Sequence, residues 1–371
     1  MNILNIGTDK TLVGGPKLGD AIERHGKYGE FVEYLDIVVY THYREQLTQF
    51  RISDNVTGYP TNSKSKLHFF NDALKIFKKI NAQHQIDIVV CQDPFIIGWL
   101  GCYLKKKYKI KLQINFHGDF WSNSNWLKER WLNIFFLLIS KFTVPQADVI
   151  RVMSAGQRDK LIRAGINPEK IHIIATPVDL AKHKNTENIK AQKHIPIILH
   201  IGRDDQVKDY DTLIKAFNLI QQQYPDVYLY QIGADKKIIQ ALKNNPLNDS
   251  AKVILKGQRS HEEVLKLLDQ ATVFVLSSTS ESFGKVLVEA NACGKPVVAT
   301  TTTGAQEIIQ DGKNGFLVSI KDYRTLAQQI IKLLNEPKLA QQMGEYGRQL
   351  VKEKYGDNTQ KIIELWKELL N

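Results

Sequence analysis

Cysteine is scarce in this sequence, with three among 371 residues: Cys91, Cys102 and Cys293. Each lies in an apolar segment, and no spacing between them matches a metal-binding pattern. A free cysteine in apolar surroundings usually behaves as a small core residue. The sequence therefore predicts three buried thiols in a reducing compartment, and no zinc site built on cysteine.

Long hydrophobic runs are missing as well. No apolar segment approaches the about 20 residues that a helix needs to cross a bilayer. Residues 1–7 are interpreted as a first strand and not as a signal peptide, because they lack a basic start and a cleavage site. Low-complexity stretches and short repeats are absent too, and apolar residues make up 43% of the chain. These features predict a globular, cytoplasmic protein.

At 371 residues the chain exceeds what a single core usually fills, so two domains are expected.

The positive charge is concentrated in the first half of the chain. Residues 1–185 carry 26 basic against 17 acidic residues, which is +9 of the net +11. Such a field favours an anionic partner, either a membrane surface or a phosphorylated acceptor. Nucleic acid is not expected, because no recognisable reader motif is present.

Strand-like and helix-like segments alternate along both halves. In the first half, strands are predicted at 35–40, 86–91, 111–116 and 148–152, and helices at 18–34, 72–83, 95–107, 126–142 and 155–164. After a polar linker at 176–193, strands are predicted at 196–202, 227–233, 253–257, 273–276 and 297–300, with a helical tail from about Asp322. This alternation predicts parallel sheets covered on both faces, with ligands at the carboxyl ends of the strands.

The polar turn and helix after the strand at 273–276 carry two carboxylates. Glu281 and Glu289 stand eight residues apart, which is about 12 Å along a helix that rises ~1.5 Å per residue. A nucleotide sugar, from its sugar ring to its ribose, has a length of that order. The alternative is that Glu289 simply forms an exposed i,i+4 pair with Lys285.

This helix is expected to begin near Phe283. The backbone N–H groups of Phe283, Gly284 and Lys285 would then lack intrahelical partners and could face an anion. Gly284 would let a ligand approach the backbone closely. In the alternative interpretation, Ser280 or Ser282 only caps the helix. One element could therefore hold a sugar, a diphosphate and a ribose.

Polar residues also follow other strands. Arg203 and Lys208 come just after the strand at 196–202, where they could bind a diphosphate or form a solvated turn. Gly15 and His117 follow strands of the first half. They could approach a sugar, although a plain surface loop and a structural histidine are the ordinary alternatives.

The segment 126–142 joins Trp126, Lys128, Arg130 and Trp131 to an apolar run. It is too short to span a bilayer. Because the helix is apolar nearly all round, burial between the sheet and its neighbours is the favoured interpretation. Docking on an anionic membrane surface is the alternative.

Several of these motifs occur together in the order found in one known family. They are Ile201-Gly202-Arg203 with Lys208, residues 253–257, Glu281 with Glu289, residues 289–300, Glu307 and residues 311–316, and more weakly Gly14-Gly15 and His117. On these residues the chain resembles the retaining GT-B glycosyltransferases of glycosyltransferase family 4.

The resemblance implies two Rossmann-like domains, each a doubly wound parallel sheet, that face a cleft. Residues 1–185 would bind the acceptor, residues 186–355 would bind the donor, and a helix at about 356–371 would pack back on the first domain. The implied protein is a hexosyltransferase of polysaccharide biosynthesis. It would move a sugar from a nucleotide-diphosphate sugar to a glycan or lipid-phosphate-linked acceptor, in the cytoplasm or on the inner face of the membrane.

The resemblance also assigns roles to residues of the second half. Glu281 would hold hydroxyls of the donor sugar and Glu289 the ribose, while Arg203 and Lys208 would bind the diphosphate. As the glycosidic bond breaks, negative charge grows on the leaving phosphate, and these cations with the helix N–H groups would stabilise it. Retention is implied by the family, and front-face displacement is the hypothesis for its mechanism.

The first domain would contribute Gly15 and His117, which would approach the sugar. Two departures from the family pattern concern the neighbouring loops. Asp209 stands where the family usually has glycine, and Pro16-Lys17 follows Gly15.

No metal and no cofactor are expected. Asp209-Tyr210-Asp211 spells the metal-binding pattern of another glycosyltransferase class, but it opens a helix, where Asp209 is a good N-cap and Asp211 a favourable first-turn charge. Two other functions stay open at this point. They are a sugar-nucleotide epimerase of related fold and a non-catalytic sugar-nucleotide binder.

Overall fold

A computed structural model of the chain describes residues 1–15, 20–176, 178, 195–233, 235–247 and 249–371, apart from the side chains of Asn125 and Glu129. The chain forms two compact units, Met1–Ala175 with Asn358–Asn371, and Thr176–Asp357. The predicted domain boundary after residue 185 and most of the predicted linker lie outside the described residues.

The first unit is built on one sheet. Its strands are β1 (Asn2–Gly7), β2 (Tyr34–Val39), β3 (Phe50–Ser53), β4 (Val56–Pro60), β5 (Ile88–Cys91), β6 (Lys111–Phe116), β7 (Val149–Val152) and β8 (Ile171–Ile173), in the spatial order β3-β4-β2-β1-β5-β6-β7-β8. Its helices are α1 (Ala21–Gly29), α2 (Phe69–Gln83), α3 (Ile96–Tyr108), α4 (Ser124–Glu129), α5 (Leu132–Thr143) and α6 (Ala155–Arg163). Neighbouring strands are parallel except for β3 and β4, which are antiparallel.

The second unit holds a parallel sheet of its own. Its helices and strands are α7 (Tyr210–Gln223), α8 (Lys236–Asn244), α9 (His261–Gln270), α10 (Lys285–Ala292), α11 (Thr303–Ile308), α12 (Tyr323–Asn335), α13 (Pro337–Lys354), β9 (Ile197–Ile201), β10 (Tyr228–Ile232), β11 (Val253–Leu255), β12 (Val273–Leu276), β13 (Val297–Thr300) and β14 (Gly315–Val318). The spatial order of the strands is β11-β10-β9-β12-β13-β14.

The predicted fold class of two parallel-sheet α/β units is confirmed. The strands β3, β4 and β8 were not predicted. The first two carry polar residues with Gly58 and Pro60, which favour a loop, and the third has only three residues.

The last helix, α14 (Thr359–Leu370), belongs to the first unit. Its apolar face, which includes Ile363 and Trp366, packs with Ile3 of β1 in one buried cluster. This packing follows from the 3.6-residue periodicity of the helix, which gives one apolar stripe toward the sheet.

The three cysteines are buried, as predicted. Burial raises the pKa of the Cys102 thiol to about 11 and that of Cys293 to about 12. Since the thiolate is the reactive form, these thiols are inert core groups.

Helix α5 contradicts the favoured interpretation of segment 126–142, which was burial. The segment forms α4 and α5, and the side chains Trp131, Ile134, Phe135, Leu138 and Phe142 are between 53% and 79% exposed. Apart from the adjacent Ile134 and Phe135, they recur at intervals of three or four residues and so share one face, which we name the α5 stripe. None of the helices in the described ranges is long and apolar enough to cross a bilayer.

Small polar residues, instead of the large apolar ones, face inward from α5. Asn133, Ser140 and Thr143 are buried. Ser140 Oγ accepts a hydrogen bond from Trp121 Nε1 at 2.8 Å, and Thr143 Oγ1 donates to Pro94 O at 2.5 Å. Because these partners lie elsewhere in the unit, the tertiary hydrogen bonds decide which face of α5 turns inward.

Candidate active site

Lys208 and Glu281 form an ion pair at the carboxyl edge of the second sheet. Lys208 ends a short 3-10 turn after β9, and Glu281 lies in the loop after the neighbouring strand β12. Lys208 Nζ lies 2.5 Å from Glu281 Oε1, and the two side chains are 13% and 15% exposed. Ser278 Oγ donates to the same carboxylate oxygen at 2.8 Å. Both charged residues were predicted for the site, but their contact was not.

The loop after β12 also fixes the turn that carries Lys208. The backbone N–H of Thr279 donates to Val207 O at 2.7 Å. Ser277 Oγ donates to Lys208 O at 2.8 Å. The ammonium group of Lys208 is thus held in place through both its backbone and its carboxylate partner.

Arg203 follows Gly202 at the end of β9 and is exposed. Tyr210 OH lies 2.8 Å from Arg203 O and 3.0 Å from Gly202 O, and Gln231 Nε2 donates to Gly202 O at 3.2 Å. Among the described residues, the Arg203 guanidinium has no hydrogen-bond or ion-pair partner. The backbone of Arg203 is therefore fixed, and the N–H donors of its guanidinium group are not used within the described residues.

Helix α10 begins at Lys285, two residues later than predicted. Gly284 precedes it with φ 81° and ψ 54°, a left-handed conformation that glycine adopts without strain. Because this residue breaks the helical path, the predicted span of about 12 Å between Glu281 and Glu289 does not apply. Phe283 is buried, and its ring lies 5.6 Å from that of Tyr355.

The carboxylate of Glu289 is buried in the middle of α10, with the residue 5% exposed. Its Oε1 lies 3.7 Å from Lys285 Nζ and 3.8 Å from His261 Nδ1. The i,i+4 pair with Lys285 is therefore present, but not as a fully exposed surface pair. His261, the first residue of α9, was not predicted.

Asp209 joins the Lys208 turn to α7. Its φ of 46° and ψ of 61° lie in the left-handed region, which aspartate tolerates better than most residues and which glycine occupies freely. This conformation explains why glycine is usual at the position in the family that the chain resembles. The Asp209 carboxylate accepts from Thr212 Oγ1 at 2.7 Å and caps α7, so the predicted N-cap is confirmed.

Asp211 also has a structural contact, since its Oδ1 accepts from Asn245 Nδ2 at 3.0 Å. Within the described ranges, no group of three or more His, Cys, Asp or Glu side chains is arranged to hold a metal ion.

In the first unit, His117 follows β6 on a backbone that α6 holds in place. Gln157 Nε2 donates to Gly118 O at 2.9 Å and approaches Phe116 O at 3.5 Å. A Cβ on Gly118 would lie 2.2 Å from the ring of Phe120, so a larger residue at this position requires that ring to shift. The His117 side chain is exposed. The result is an accessible imidazole on a fixed segment.

Gly15 lies in the turn after β1, where its N–H donates to Lys10 O at 2.9 Å. The following Pro16-Lys17, which departs from the family pattern, lies outside the described residues.

Several residues that support the site were missed from the sequence: Tyr210, Gln231, Ser277, Ser278, Gln157 and His261. A signal existed for Gln231, because a glutamine in the buried strand β10 interrupts an apolar pattern and needs a hydrogen-bond partner. The loop serines gave no signal, since polar residues are ordinary in loops.

Models of two known protein families match consecutive parts of the chain. The model described as Glycosyltransferase Family 4 matches residues 34–182, and that described as Glycosyl transferases group 1 matches residues 182–350. Together the two matches extend over most of the chain.

Two relatives have names that specify a reaction. The chain is 30% identical to the N-acetyl-alpha-D-glucosaminyl L-malate synthase of Bacillus anthracis, over 60% of this chain and 59% of that protein. It is 29% identical to the N-acetylgalactosamine-N,N'-diacetylbacillosaminyl-diphospho-undecaprenol 4-alpha-N-acetylgalactosaminyltransferase of Campylobacter jejuni, over 56% of this chain and 57% of that protein.

Solved structures match along the whole chain. The sucrose-phosphate synthase of Thermosynechococcus elongatus aligns with a TM-score of 0.84 at 20% identity, over 100% of this chain and 99% of that one. An Anabaena protein in complex with UDP and glucose aligns with a TM-score of 0.76 at 19% identity, over 100% of this chain and 99% of that one. At these identities the likeness establishes the fold.

Proposed function

Because the chain is a GT-B glycosyltransferase that resembles glycosyltransferase family 4, we propose that it transfers a hexose from a nucleotide-diphosphate sugar, with retention and without a metal ion. The observation that supports this most is the pair of cations at the end of β9. Arg203 follows Gly202, and a Cβ on Gly202 would lie only 3.1 Å from Lys208 Cγ. Two cations beside one glycine suit a diphosphate, which carries two or more negative charges.

The roles of the second unit follow from charge. The guanidinium of Arg203 and the ammonium of Lys208 stabilise the negative charge that grows on the leaving diphosphate. Glu281, whose Oε1 is already shared by Lys208 and Ser278, accepts hydrogen bonds from hydroxyls of the donor sugar. Glu289 binds the ribose hydroxyls in the same way, and the N–H groups at the start of α10, at Lys285, support the phosphates.

The first unit contributes the groups that approach the sugar. His117 is exposed and hydrogen-bonds Gln92, so its ring is oriented before any ligand arrives. Gly15 lets the sugar approach the backbone of the turn after β1. These two roles are carried over from the family because this chain has the matching residues at these positions.

Retention is proposed through front-face displacement. The bond from the anomeric carbon to the diphosphate oxygen breaks, and the bond to the acceptor oxygen forms on the same face of the ring. The acceptor proton passes to the departing phosphate, so no protein nucleophile is required. The names of both relatives describe an α-linked product, which is the retained configuration when the nucleotide sugar is itself α-linked.

Glu289→Ala is expected to weaken the binding of free UDP by about 10- to 100-fold, because hydrogen bonds to a charged group contribute roughly 1.5–3 kcal/mol. Glu281→Ala, in contrast, is expected chiefly to lower turnover. Titration calorimetry with UDP measures the first effect, and Glu289→Gln, which keeps the size of the side chain, is the matched variant. Binding of UDP to Glu289→Ala as tightly as to the wild type would refute the ribose assignment.

We further propose that the acceptor is presented at an anionic membrane surface. The two relatives differ here, since one name contains malate, a soluble acceptor, and the other a diphospho-undecaprenol-linked sugar. The α5 stripe favours the second class. Exposed aromatic and aliphatic side chains on one helix face suit the boundary between lipid headgroups and acyl chains.

Basic residues close to the end of α5 support the same partner. A depression of the first unit is lined by Lys105, Lys106, Lys109, Lys111 and Lys170, together with Pro145 and Gln146, which follow α5. Lys105 is paired with Asp148 at 2.6 Å. In the described parts of the chain, Lys106, Lys109 and Lys111 form no ion pair. An anionic headgroup could neutralise these three charges.

Binding to phosphatidylglycerol vesicles is expected at low ionic strength, with a steep loss as salt rises and none to phosphatidylcholine, because surface attraction is screened. Replacing Lys106, Lys109 and Lys111 together by Gln removes roughly 1 kcal/mol per lysine, so affinity is expected to fall by about 10².

Leu138→Asp is expected to weaken binding through the α5 stripe, and Ile239→Asp, on an exposed apolar residue of the second unit, is its control. Sedimentation with vesicles measures the binding of the wild type and of each variant.

If the wild type ignored phosphatidylglycerol vesicles at low salt, membrane presentation would be refuted. A soluble acceptor would then be the better proposal.

A further inference from the structure

The two peptide groups on either side of the Arg203 Cα atom are each held by a buried side chain. The first group contains Gly202 O, which accepts a hydrogen bond from Gln231 Nε2 at 3.2 Å. The second contains Arg203 O, which lies 2.8 Å from Tyr210 OH. Gln231 and Tyr210 are 0% and 4% exposed, so both contacts come from the core of the second unit.

The contacts of Gln231 select one orientation of its amide. Its Nε2 lies 2.8 Å from Ile232 O as well as 3.2 Å from Gly202 O, and carbonyl oxygens can only accept. Its Oε1 therefore faces His200, whose Nδ1 lies 2.6 Å away and carries the hydrogen. Burial lowers the pKa of His200 to about 3, so this ring is neutral. The donor to Gly202 O is thus fixed from both sides of the amide.

The single hydroxyl hydrogen of Tyr210 is assigned to Arg203 O. Tyr210 OH lies 3.0 Å from Gly202 O and 2.8 Å from Arg203 O, but Gly202 O already has a donor in Gln231. Burial raises the pKa of the Tyr210 phenol, so the hydroxyl keeps its hydrogen at neutral pH. Arg203 O also accepts from the backbone N–H of Asp205 at 2.7 Å. One side chain and one backbone group therefore hold the second peptide group.

The two fixed peptide groups determine where the Arg203 side chain leaves the backbone. Since each peptide group is planar, their orientations set φ and ψ of Arg203. Tetrahedral geometry at the Cα atom then sets the direction of the Cα–Cβ bond. The Arg203 side chain is exposed, so the position of its guanidinium group depends on this first bond.

The position of the Tyr210 hydroxyl also accounts for the glycine before Arg203. A Cβ on Gly202 would lie 2.8 Å from Tyr210 OH and 2.9 Å from His200 Cε1, so a larger residue requires these buried rings to shift. The two rings pack edge to face, with centroids 5.3 Å apart and an interplanar angle of 70°. Tyr210 is the first residue of α7, which fixes its backbone. The hydroxyl is therefore held in place by packing as well as by hydrogen bonds.

We propose that Tyr210 is a positioning residue of the donor site, whose hydroxyl orients Arg203 through the Arg203 carbonyl group so that the guanidinium meets the leaving diphosphate. The inference rests on the proposed function, in which Arg203 stabilises that diphosphate. Tyr210 does not touch the substrate in this arrangement. Its effect on the reaction passes through Arg203 and disappears when the guanidinium is absent.

A double-mutant cycle tests this dependence on Arg203. Tyr210→Phe removes only the hydroxyl, and in the wild-type background kcat is expected to fall on the order of 10-fold, because a misplaced catalytic group loses rate. In the Arg203→Ala background the same substitution is expected to change kcat by less than about twofold. Steady-state kinetics of the four proteins measure the cycle.

The affinity for UDP gives a second measurement of the same cycle. Free UDP carries the charge that develops on the leaving diphosphate, so Tyr210→Phe is expected to weaken its binding by up to about 10-fold when Arg203 is present. No further loss is expected in the Arg203→Ala background. Titration calorimetry measures this effect without any sugar transfer.

Tyr224→Phe is the matched control. Tyr224 directly follows α7 at the opposite end of the helix, and its hydroxyl donates to Asn335 Oδ1. Loss of this hydroxyl is expected to leave kcat unchanged in both backgrounds. A merely structural role of Tyr210 would instead lower kcat by the same factor with and without Arg203, and thermal melting records the accompanying loss of stability.

Gln231→Met keeps the test decisive if Tyr210→Phe folds poorly. It removes the donor to Gly202 O and so releases the other peptide group, and kcat is again expected to fall only where Arg203 is present. Equal factors in the two backgrounds, or an unchanged kcat in Tyr210→Phe, would overturn the proposal. Failure of the wild type to transfer any sugar would instead refute the proposed function, while the cycle on UDP affinity would still decide the role of Tyr210.

Discussion

Arg203→Ala is expected to lower kcat by about 10²–10³, the range found when one preorganised donor to a developing anion is removed. The guanidinium is exposed, and it has no partner among the described residues, so the substitution removes no contact that is seen within them. Its backbone is fixed independently, since Tyr210 OH lies 2.8 Å from Arg203 O. The variant is therefore expected to keep the thermal stability of the wild type.

The control for this prediction is Arg203→Lys. Lysine keeps the charge but cannot form the planar, two-pronged contact with phosphate oxygens, so partial rescue is expected. Steady-state kinetics measure the turnover of both variants, and thermal melting measures their stability. Near-normal turnover in Arg203→Ala would mean that the residue belongs only to a solvated turn.

Lys208→Ala is expected to lower kcat by a similar factor, about 10²–10³, and also to destabilise the fold. Lys208 and Glu281 are 13% and 15% exposed. Loss of the ammonium leaves the carboxylate with little access to water, which costs on the order of 2–3 kcal/mol. Turnover and stability should therefore fall together here, unlike in Arg203→Ala.

A double variant separates the structural effect from the catalytic one. Lys208→Met with Glu281→Gln removes both charges and shortens only the lysine side chain, by one atom, so melting temperature is expected to recover while turnover stays low. Glu281→Gln alone keeps the ammonium and is expected to be more active than the double variant. Equal activity of these two variants would show that Lys208 acts only as the partner of Glu281.

The ends of the parallel strands could be predicted from sequence because short apolar runs followed by polar residues are a local signal. Arg203 and His117 were located in this way, each directly after a predicted strand. The pairing of Lys208 with Glu281 could not be predicted, since the two residues are 73 positions apart. It depends on β9 and β12 being neighbours in the sheet.

The start of α10 was misplaced because the sequence gives a glycine but not its conformation. Gly284 at φ 81° ends the preceding loop, whereas the prediction treated it as part of the helix. Helix boundaries are local choices between capping arrangements of similar energy, so an error of two residues is ordinary.

The prediction that the apolar side chains of α5 are buried was wrong for a different reason. A helix that is apolar nearly all round carries no sequence signal for which face turns inward. The contacts that decide the question, such as Ser140 with Trp121, join segments that are distant in sequence.

The central claim is tested most directly by mass spectrometry of the protein incubated with a panel of nucleotide-diphosphate sugars and with glycan or polyprenyl-phosphate-linked acceptors. Parallel reactions contain EDTA or magnesium, because the cations of Arg203 and Lys208 are proposed to replace a metal ion. The account predicts an acceptor that gains one hexosyl residue and a released nucleoside diphosphate, in EDTA as well as in magnesium. An isomerised donor of unchanged mass, or a donor that stays intact with every acceptor, would contradict it.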